Sequence, residues 1–459
     1  MHRTIRARRF ARGHRFVHGL IVAAFLLVAT PAFGAVPGTA SAIVHKASVQ
    51  VHSAPDFNAP TVATLQRDAT VRISGQQGLW FQVATAQGAS GYVRVNDVRM
   101  QYAGNAAAGS NMRALFTGKA GKGRVSETAG VRGIDESDLK SASFDAAQFA
   151  KLESYRVSPQ AAAADAGSAG WRANKVPYAS EFKPQPEQGG KATQKQKRGG
   201  LGLARGLLSA VVVGSPASDS AFGVAEASAG KSELEQQEEE IALGPEISGR
   251  ILGAAKLWND DAAQRRVNRI GRWMASQTSR PDLPWTFGVI DSRDINAYAA
   301  PGGYILVTRG LYELLGDDEE VAAVLGHELS HVVQRDHYNV IHKQEKTAAL
   351  QGVAAEQVQA GGLATSMAKD YVARHGASVM ASSLDREAEY RADQAAEIYL
   401  ARAGFNPLAL YAVLQKMTAL GTASGNLAQL YKTHPPLDER MDRIDRRGYS
   451  SLERYTGRK

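Results

Sequence analysis

Between Ile43 and Met100 short apolar runs alternate with polar residues and are separated by turns, at Ala47–Val51, Thr61–Leu65, Thr70–Ile73, Trp80–Val83 and Gly91–Val95. Five strands at this spacing predict a small all-β barrel over residues 43–100. The alternation then stops. From residue 101 to about 233 Gly, Ala, Ser, Lys and Gln dominate, as expected of a long, partly disordered linker. A short helical module interrupts it near 131–178, with helical stretches expected at 136–140, 146–157 and 161–166, and a polar, basic spacer follows at 183–200. The apolar run Leu201–Gly214 is fourteen residues long and broken by Arg205, so it reads as a packing or interfacial segment rather than a membrane span.

A helical period takes over in the last region, 234–459, opened by the acidic stretch Leu234–Glu240. Val321, Val324, Leu325, Leu329 and Val332 form one apolar stripe on a helix that Asp317 caps, Glu320 closes as a capping box, and Arg335 ends. Two β-branched runs, Trp285–Ile290 and Tyr304–Thr308, read as strands, the second preceded by a tight turn at Gly302 and Gly303. Residues 337–383 are helical in composition but broken at Gly361, Gly362 and Gly376, compatible with a hinged flap or with a plain helical hairpin. The expected architecture is α+β and multidomain: a mostly helical domain with a small sheet, preceded by the barrel and the linker.

The chain has no cysteine, which excludes disulfides, thiol nucleophiles, thiolate metal sites and lipid attachment at cysteine. Six arginines before residue 16, an apolar run from Gly19 to Thr30 and small residues around Gly34 have the form of a signal peptide over 1–34. Cleavage after Gly34 or after Ala42 fits the small-residue rule, and the pair Arg8-Arg9 leaves general-secretory and twin-arginine export open. Removing residues 1–34 takes away six arginines and no acids, so the net charge falls from +9 to +3. The basicity is largely an address label, so no nucleic-acid partner is inferred. No later segment reaches the roughly eighteen apolar residues of a membrane helix, so the mature chain is expected to have no span and to be periplasmic or envelope-associated.

The candidate chemistry lies in His327-Glu328-Leu329-Ser330-His331. An HExxH run on a helix sets two imidazoles one turn apart on one face with a carboxylate beside them, the minimum for zinc activation of water. A catalytic zinc takes three protein ligands, and Glu389 within Asp385–Asp393 is the candidate third; Asp393, one turn on, is placed to accept the free N–H of a ligating histidine. His337 and His342 read as surface residues.

HELSH followed by EYRAD resembles the gluzincin metallopeptidases of family 48, with their prenyl-protease, HtpX and BepA branches. Asn296–Gly303 is similar to that family's NAxAxPGG segment, and Thr433-His434-Pro435-Pro436 with Arg440 to its C-terminal loop, so the likeness runs from about Leu234 to Arg446. It implies one zinc ion per chain held by His327, His331 and Glu389, with Glu328 as general base. It also points to His434 or Arg440 as a second electrophile, or to His434 as occupant of zinc's open position at rest. An edge strand beside the metal would hold an extended polypeptide by main-chain hydrogen bonds, with Asn296, Gly302, Gly303 and Tyr304 as candidate substrate contacts. The transmembrane helices of two branches and the helical repeats of the third are absent, leaving substrate and regulation open. Separately, the turn Ser53-Ala54-Pro55, Gly78–Phe81 and Gly91–Val93 resemble bacterial Src-homology-3-like domains, whose implied ligand is a cell-wall or protein segment, at a groove formed by Trp80 and Tyr92.

The sequence therefore points to an exported zinc metalloendopeptidase acting on unfolded or envelope proteins. Two rivals stand beside it: a metal-bound chaperone or assembly factor with suppressed hydrolysis, and a cell-wall-binding hydrolase of peptidoglycan peptides.

Overall fold

The computed structural model describes residues 40–101, 133–183, 233–350, 372, 375–420, 427–447 and 452–456. The expected signal peptide, the spacer at 184–200, the run at 201–214 and Gly361-Gly362 lie outside the described residues.

The N-terminal part is an antiparallel sheet of seven strands, not five: β1 (Ala40–Val44), β2 (Ser48–His52), β3 (Thr61–Gln66), β4 (Thr70–Gln77), β5 (Trp80–Thr85), β6 (Ser90–Arg94) and β7 (Val98–Met100). Their order is β3-β2-β6-β5-β4-β1-β7. The inward positions Ala40, Ala42, Val44, Val51, Ile73, Phe81, Val93 and Val98 are buried, which is what a period of two delivers when one face is covered. β1 eluded the pattern because its inward residues are mostly alanines, among the small residues of the supposed cleavage region. It nevertheless pairs with both β4 and β7.

The segment at 133–183 packs onto the C-terminal body, sharing its apolar clusters. Its helices α1 (Glu136–Ser141), α2 (Ala146–Glu153) and α3 (Pro159–Ser168) are capped by Asp135, Asp145 and Ser158. Leu139, Leu152, Ala162 and Ala166 are buried. Along the way Ile134 N–H donates to Asp294 (2.6 Å), Ala377 N–H to Leu139 O (2.9 Å), Arg156 to Thr286 Oγ1 (2.8 Å), and Asn174 N–H to Arg402 O (2.7 Å). The segment is a belt around the body. Its polar, alanine-rich surface hid this from composition.

The body begins with α4 (Glu233–Ala254) and α5 (Asp261–Ala275), then β8 (Thr286–Ile290), β9 (Ala297–Ala300) and β10 (Tyr304–Thr308), followed by α6 (Arg309–Tyr312), α7 (Asp318–Val333) and α8 (Asp336–Leu350). After a 3-10 turn at Ser378–Ala381 come α9 (Arg386–Ala403), α10 (Leu408–Leu420), α11 (Ala428–Thr433) and α12 (Leu437–Arg447). The sheet order is β8-β10-β9, with β10 parallel to β8 and antiparallel to β9. Tyr304–Thr308 is therefore the central strand, and the edges are β8 and β9. Gly302 and Gly303 turn the hairpin at φ 78° and 104°, and a Cβ on Gly302 would come within 2.5 Å of Glu240 O, so only glycine fits. Gly376 is not a free hinge: at φ 61°, its Cβ would meet Lys140 O at 2.5 Å.

The barrel is docked on the body. Gln415, fully buried on α10, donates to Val95 O (3.1 Å) and Val98 O and accepts from Met100 N–H (2.9 Å). Lys416 Nζ meets Glu320 of α7 at 2.6 Å, and Gln76 of β4 donates to the other oxygen of that carboxylate at 3.0 Å. One apolar cluster runs continuously from the barrel into the helices. Arg94 lies over Phe57 and Trp80 and donates to Thr456 O in the C-terminal turn; Trp80 of the expected groove is buried and Tyr92 half-buried.

Candidate metal centre

Asp317 caps α7 by accepting from Glu320 N–H at 2.9 Å. The Glu320 carboxylate reaches Gly316 N–H (2.6 Å) instead of the cap's own N–H, because Lys416 and Gln76 draw it outward; the capping box is not closed as expected. The helix runs as a buried element and ends where Arg335 adopts φ 62°. That left-handed turn is costly for a side chain bearing a Cβ. It is held by Arg335 ion pairs to Glu240 (2.8 Å) and Glu233 (2.6 Å). Its product is the position of Asp336, whose carboxylate accepts from His331 Nδ1 at 2.8 Å. Asp336 was missed by the sequence reading; an acid just past the end of the histidine helix was the available signal.

Asp385 caps α9 through Ala388 N–H (2.7 Å), and the helix carries Glu389 and Asp393 to α7. His327 Nε2 lies 3.5 Å from Glu389 Oε2, His331 Nε2 3.7 Å from Glu389 Oε1, and the two Nε2 atoms are 3.3 Å apart. His434, following α11, brings a third Nε2 to 3.6 Å from Glu389 Oε2. One ligand atom from each of these four residues falls within a common span of 4.8 Å.

Hydrogen bonding at the far nitrogens fixes the tautomers. Asp393 accepts from His327 Nδ1 (3.1 Å) and Asp336 from His331 Nδ1. Thr433 Oγ1 donates to Gln429 O (3.0 Å) and so accepts from His434 Nδ1 (2.8 Å). Three unprotonated Nε2 atoms and a carboxylate then face one another, a repulsive set unless a cation joins them. Glu389 Oε2 is buried and has no hydrogen-bond partner among the described residues. Donors about 2.0–2.1 Å from a tetrahedral zinc stand about 3.3–3.5 Å from each other. The contacts of 3.3–3.7 Å lie close to this and the whole set spans up to 4.8 Å, so the residues fit a zinc ion with a small inward adjustment.

Electrostatics agree. Burial and the nearby Arg440 charge pull His327 down, but the Asp393 and Glu389 carboxylates beside it prevail and push it up to about 9, a proton answering the demand for positive charge. Burial raises Glu389, yet the surrounding histidines hold it well below the carboxylate range. Burial pushes His434 down to about 3, leaving it neutral. Burial likewise raises Glu328, partly offset by the adjacent histidines. Glu328 makes no hydrogen bond with any described residue and lines both cavities flanking the histidines.

Arg440 is engaged elsewhere than expected. Its Nε and Nη2 grip both oxygens of Asp393 (3.0 and 2.5 Å), all three per cent exposed or less. Its fork orients the carboxylate behind His327, with Nη2 also 3.3 Å from His327 Nδ1, and the residue lines one cavity together with Glu328 and His434. Asn296, at the entry to β9, lines both cavities and leaves its buried Oδ1 unpartnered among the described residues. Gly302, Gly303 and Tyr304 sit at the hairpin's other end, Gly302 and Tyr304 packed against α4 and Gly303 facing Leu283 and Trp285, with Tyr304 OH accepting from Arg156 at 3.1 Å. His337 is a correction. It is buried, lines the cavity bounded by Glu328, Glu389 and Met380, and has no partner for Nδ1 among the described residues, because the turn at Arg335 carries it inward. His342 is partly exposed.

Residues 261–448 match the model of Peptidase family M48, and residues 47–98 match Bacterial SH3 domain. The chain thus carries an M48 peptidase domain behind a bacterial SH3-like domain. It is 26% identical over 210 residues to the beta-barrel assembly-enhancing protease of Escherichia coli K12, covering 44% of this chain and 42% of the relative. It is 29% identical over 161 residues to the metalloprotease LoiP of the same strain, 35% of this chain and 62% of that one. The mitochondrial metalloendopeptidase OMA1 of Arabidopsis thaliana shares 29% over 177 residues, 39% of this chain and 34% of its own. The chain therefore spans less than two thirds of each relative. No described helix is long and apolar enough to cross a membrane.

Proposed function

We propose that this chain is an exported zinc-dependent metalloendopeptidase of the cell envelope, with His327, His331 and Glu389 holding one zinc ion and His434 closing the fourth position at rest. The observation that carries the proposal is the convergence of three imidazole nitrogens and a Glu389 carboxylate oxygen within 4.8 Å of one another. Bound zinc supplies a Lewis acid for the scissile carbonyl and lowers the pKa of water towards about 7. Glu328, unbonded and facing the cavities, takes the proton from the attacking water and returns it to the leaving amine. Asp393 and Asp336 keep both helix histidines in the ligating tautomer, and Arg440 keeps Asp393 ionised. Withdrawal of His434 opens the site, and once clear of it the imidazole takes up a proton at Nε2 from solvent, which lets it donate a hydrogen bond to the developing oxyanion.

The edge strand β9 next to Asn296 offers main-chain hydrogen bonds to an extended substrate, which favours unfolded polypeptides over a defined sequence. Envelope quality control follows from the relatives named for barrel assembly and from the signal-like N-terminus. Cleavage after Gly34 is preferred over cleavage after Ala42, which would remove most of β1. His434 at the fourth position also supports a second reading, an assembly factor whose hydrolysis is held off until a client displaces that imidazole.

Glu328→Gln and Glu389→Ala test the proposal together. The first retains zinc and loses hydrolysis of an unfolded substrate by about a hundredfold or more; the second loses zinc as well. Zinc-free wild type after purification under non-chelating conditions, or undiminished hydrolysis by Glu328→Gln, would sink it.

A further inference from the structure

The helix that carries Arg440 is held from two sides. On the body side Arg440 grips Asp393, which orients His327. On the other side Arg99, on β7 of the barrel, places Nη2 2.8 Å from Asp442 Oδ1 and 2.6 Å from Asp445 Oδ2. At about 100° per residue Asp442 and Asp445 leave α12 roughly opposite Arg440. The Arg99 guanidinium also lies 5.4 Å from the ring centre of Tyr411, whose hydroxyl donates to Asp445 at 3.0 Å, and His45 Nε2, before β2, lies 3.2 Å from the same carboxylate. Arg99 and Asp445 are 17% and 18% exposed. Two ties from α9 to the same helix, Arg443–Glu387 and Arg386–Glu439, are far more open, with the two arginines 43% and 67% exposed, and contribute less; a third, Arg447–Glu397, pairs an arginine 29% exposed with a carboxylate 3% exposed and holds the last turn of α12, away from Arg440.

We propose that Arg99 is a positioning residue for the metal centre: by fixing the seat of α12 it sets Arg440, and through Asp393 the imidazole of His327. The bacterial SH3-like domain is on this account a stay of the catalytic apparatus and not an appended binding module. The inference rests on the zinc reading above. Pro435-Pro436 leads directly from His434 into α12, and Arg440 N–H donates to Pro436 O at 3.1 Å, so a shift of the helix reaches both sides of the centre. Removal of Arg99 leaves the ligands in place but loosens their support.

The test uses the full mature chain, with Arg99→Ala, Arg99→Lys and, as control, Arg265→Ala, which breaks an exposed pair with Asp261. All are assayed well below their melting temperatures, where circular dichroism shows each variant folded. Arg99→Ala should weaken zinc binding, read by competition with a chromogenic chelator, by about three- to tenfold, less than loss of a ligand's own hydrogen-bond partner would. Turnover of quenched-fluorescent casein should fall by a similar factor with KM within about twofold. Arg99→Lys should recover part of both losses, and Arg265→Ala should match wild type. A variant that melts earlier yet binds zinc and turns over normally shows Arg99 to be a structural fastener only, and overturns the proposal. If wild type neither binds zinc nor cleaves casein, the zinc reading fails by itself. Amide exchange at 437–447 then decides: faster exchange confined there in Arg99→Ala supports the tie, and unchanged exchange refutes it.

Discussion

Replacing Asp393 with Asn removes one charge and keeps the shape, which isolates what the carboxylate does. In the native protein one oxygen takes Arg440 Nη2 and His327 Nδ1 (3.1 Å) and the other takes Arg440 Nε (3.0 Å), with every group nearly excluded from water. An amide offers one acceptor oxygen and turns an NH2 towards a donor, so either the guanidinium or the imidazole loses its partner. Removing one member of a buried ion pair costs about 3–5 kcal/mol, since the other charge stays behind uncompensated. Loss of the hydrogen bond behind a ligating histidine lowers metal affinity about ten- to hundredfold, or about 1.4–2.7 kcal/mol. Urea unfolding of the metal-free protein reads the first quantity and chelator competition reads the second. Asp393→Asn with wild-type zinc affinity, or with an unfolding midpoint unchanged at constant slope, would refute the support assigned to this carboxylate.

Asn296→Ala, which strips an unpartnered acceptor from the cleft, should lower kcat/KM on an unfolded substrate by about tenfold while zinc affinity stays unchanged; an equal loss of zinc would place Asn296 in the metal's support instead. Because His327 is pushed up to about 9, zinc binding at pH 7 should release at least one proton, and affinity should rise with pH until about 9; calorimetry in buffers of different ionisation enthalpy measures the release. Leu152→Ala, at a fully buried site of the belt, should destabilise the whole chain by about 2–5 kcal/mol in denaturant unfolding, whereas a dispensable linker would show no change. Mass spectrometry of the exported protein should find an N-terminus before Ala40, and a terminus at Ile43 would contradict the role of β1.

Where a motif carried its own local physics, the sequence was legible. The period of the helix 318–333, its Asp317 cap, five of the seven barrel strands and the shared face of His327 and His331 follow from spacing on regular elements, while the pairing of Glu389 with those histidines was implied by the family resemblance. What could not be read depends on remote partners. Glu320 looks like a capping residue until Lys416 and Gln76 arrive from 96 and 244 residues away. His337 looks exposed because nothing local announces that Arg335 will bend the chain at φ 62°. Tyr304 stands in a recognisable segment, yet hairpin register puts it at the end away from the histidines. Arg440 was found by motif, but its task was visible only once Asp393 was seen to fill its fork.

The centre is assembled from pieces lying far apart in chain order: 327–331, then 389–393, then 433–440, with the barrel at 40–100 closing last onto 442 and 445. A chain threaded through a membrane N-terminus first would present its histidines long before their supports arrive. Such late, non-local closure is slow compared with local folding. On the proposed function, hydrolytic competence in a chain exported N-terminus first would therefore be postponed until the segment 433–440 has crossed.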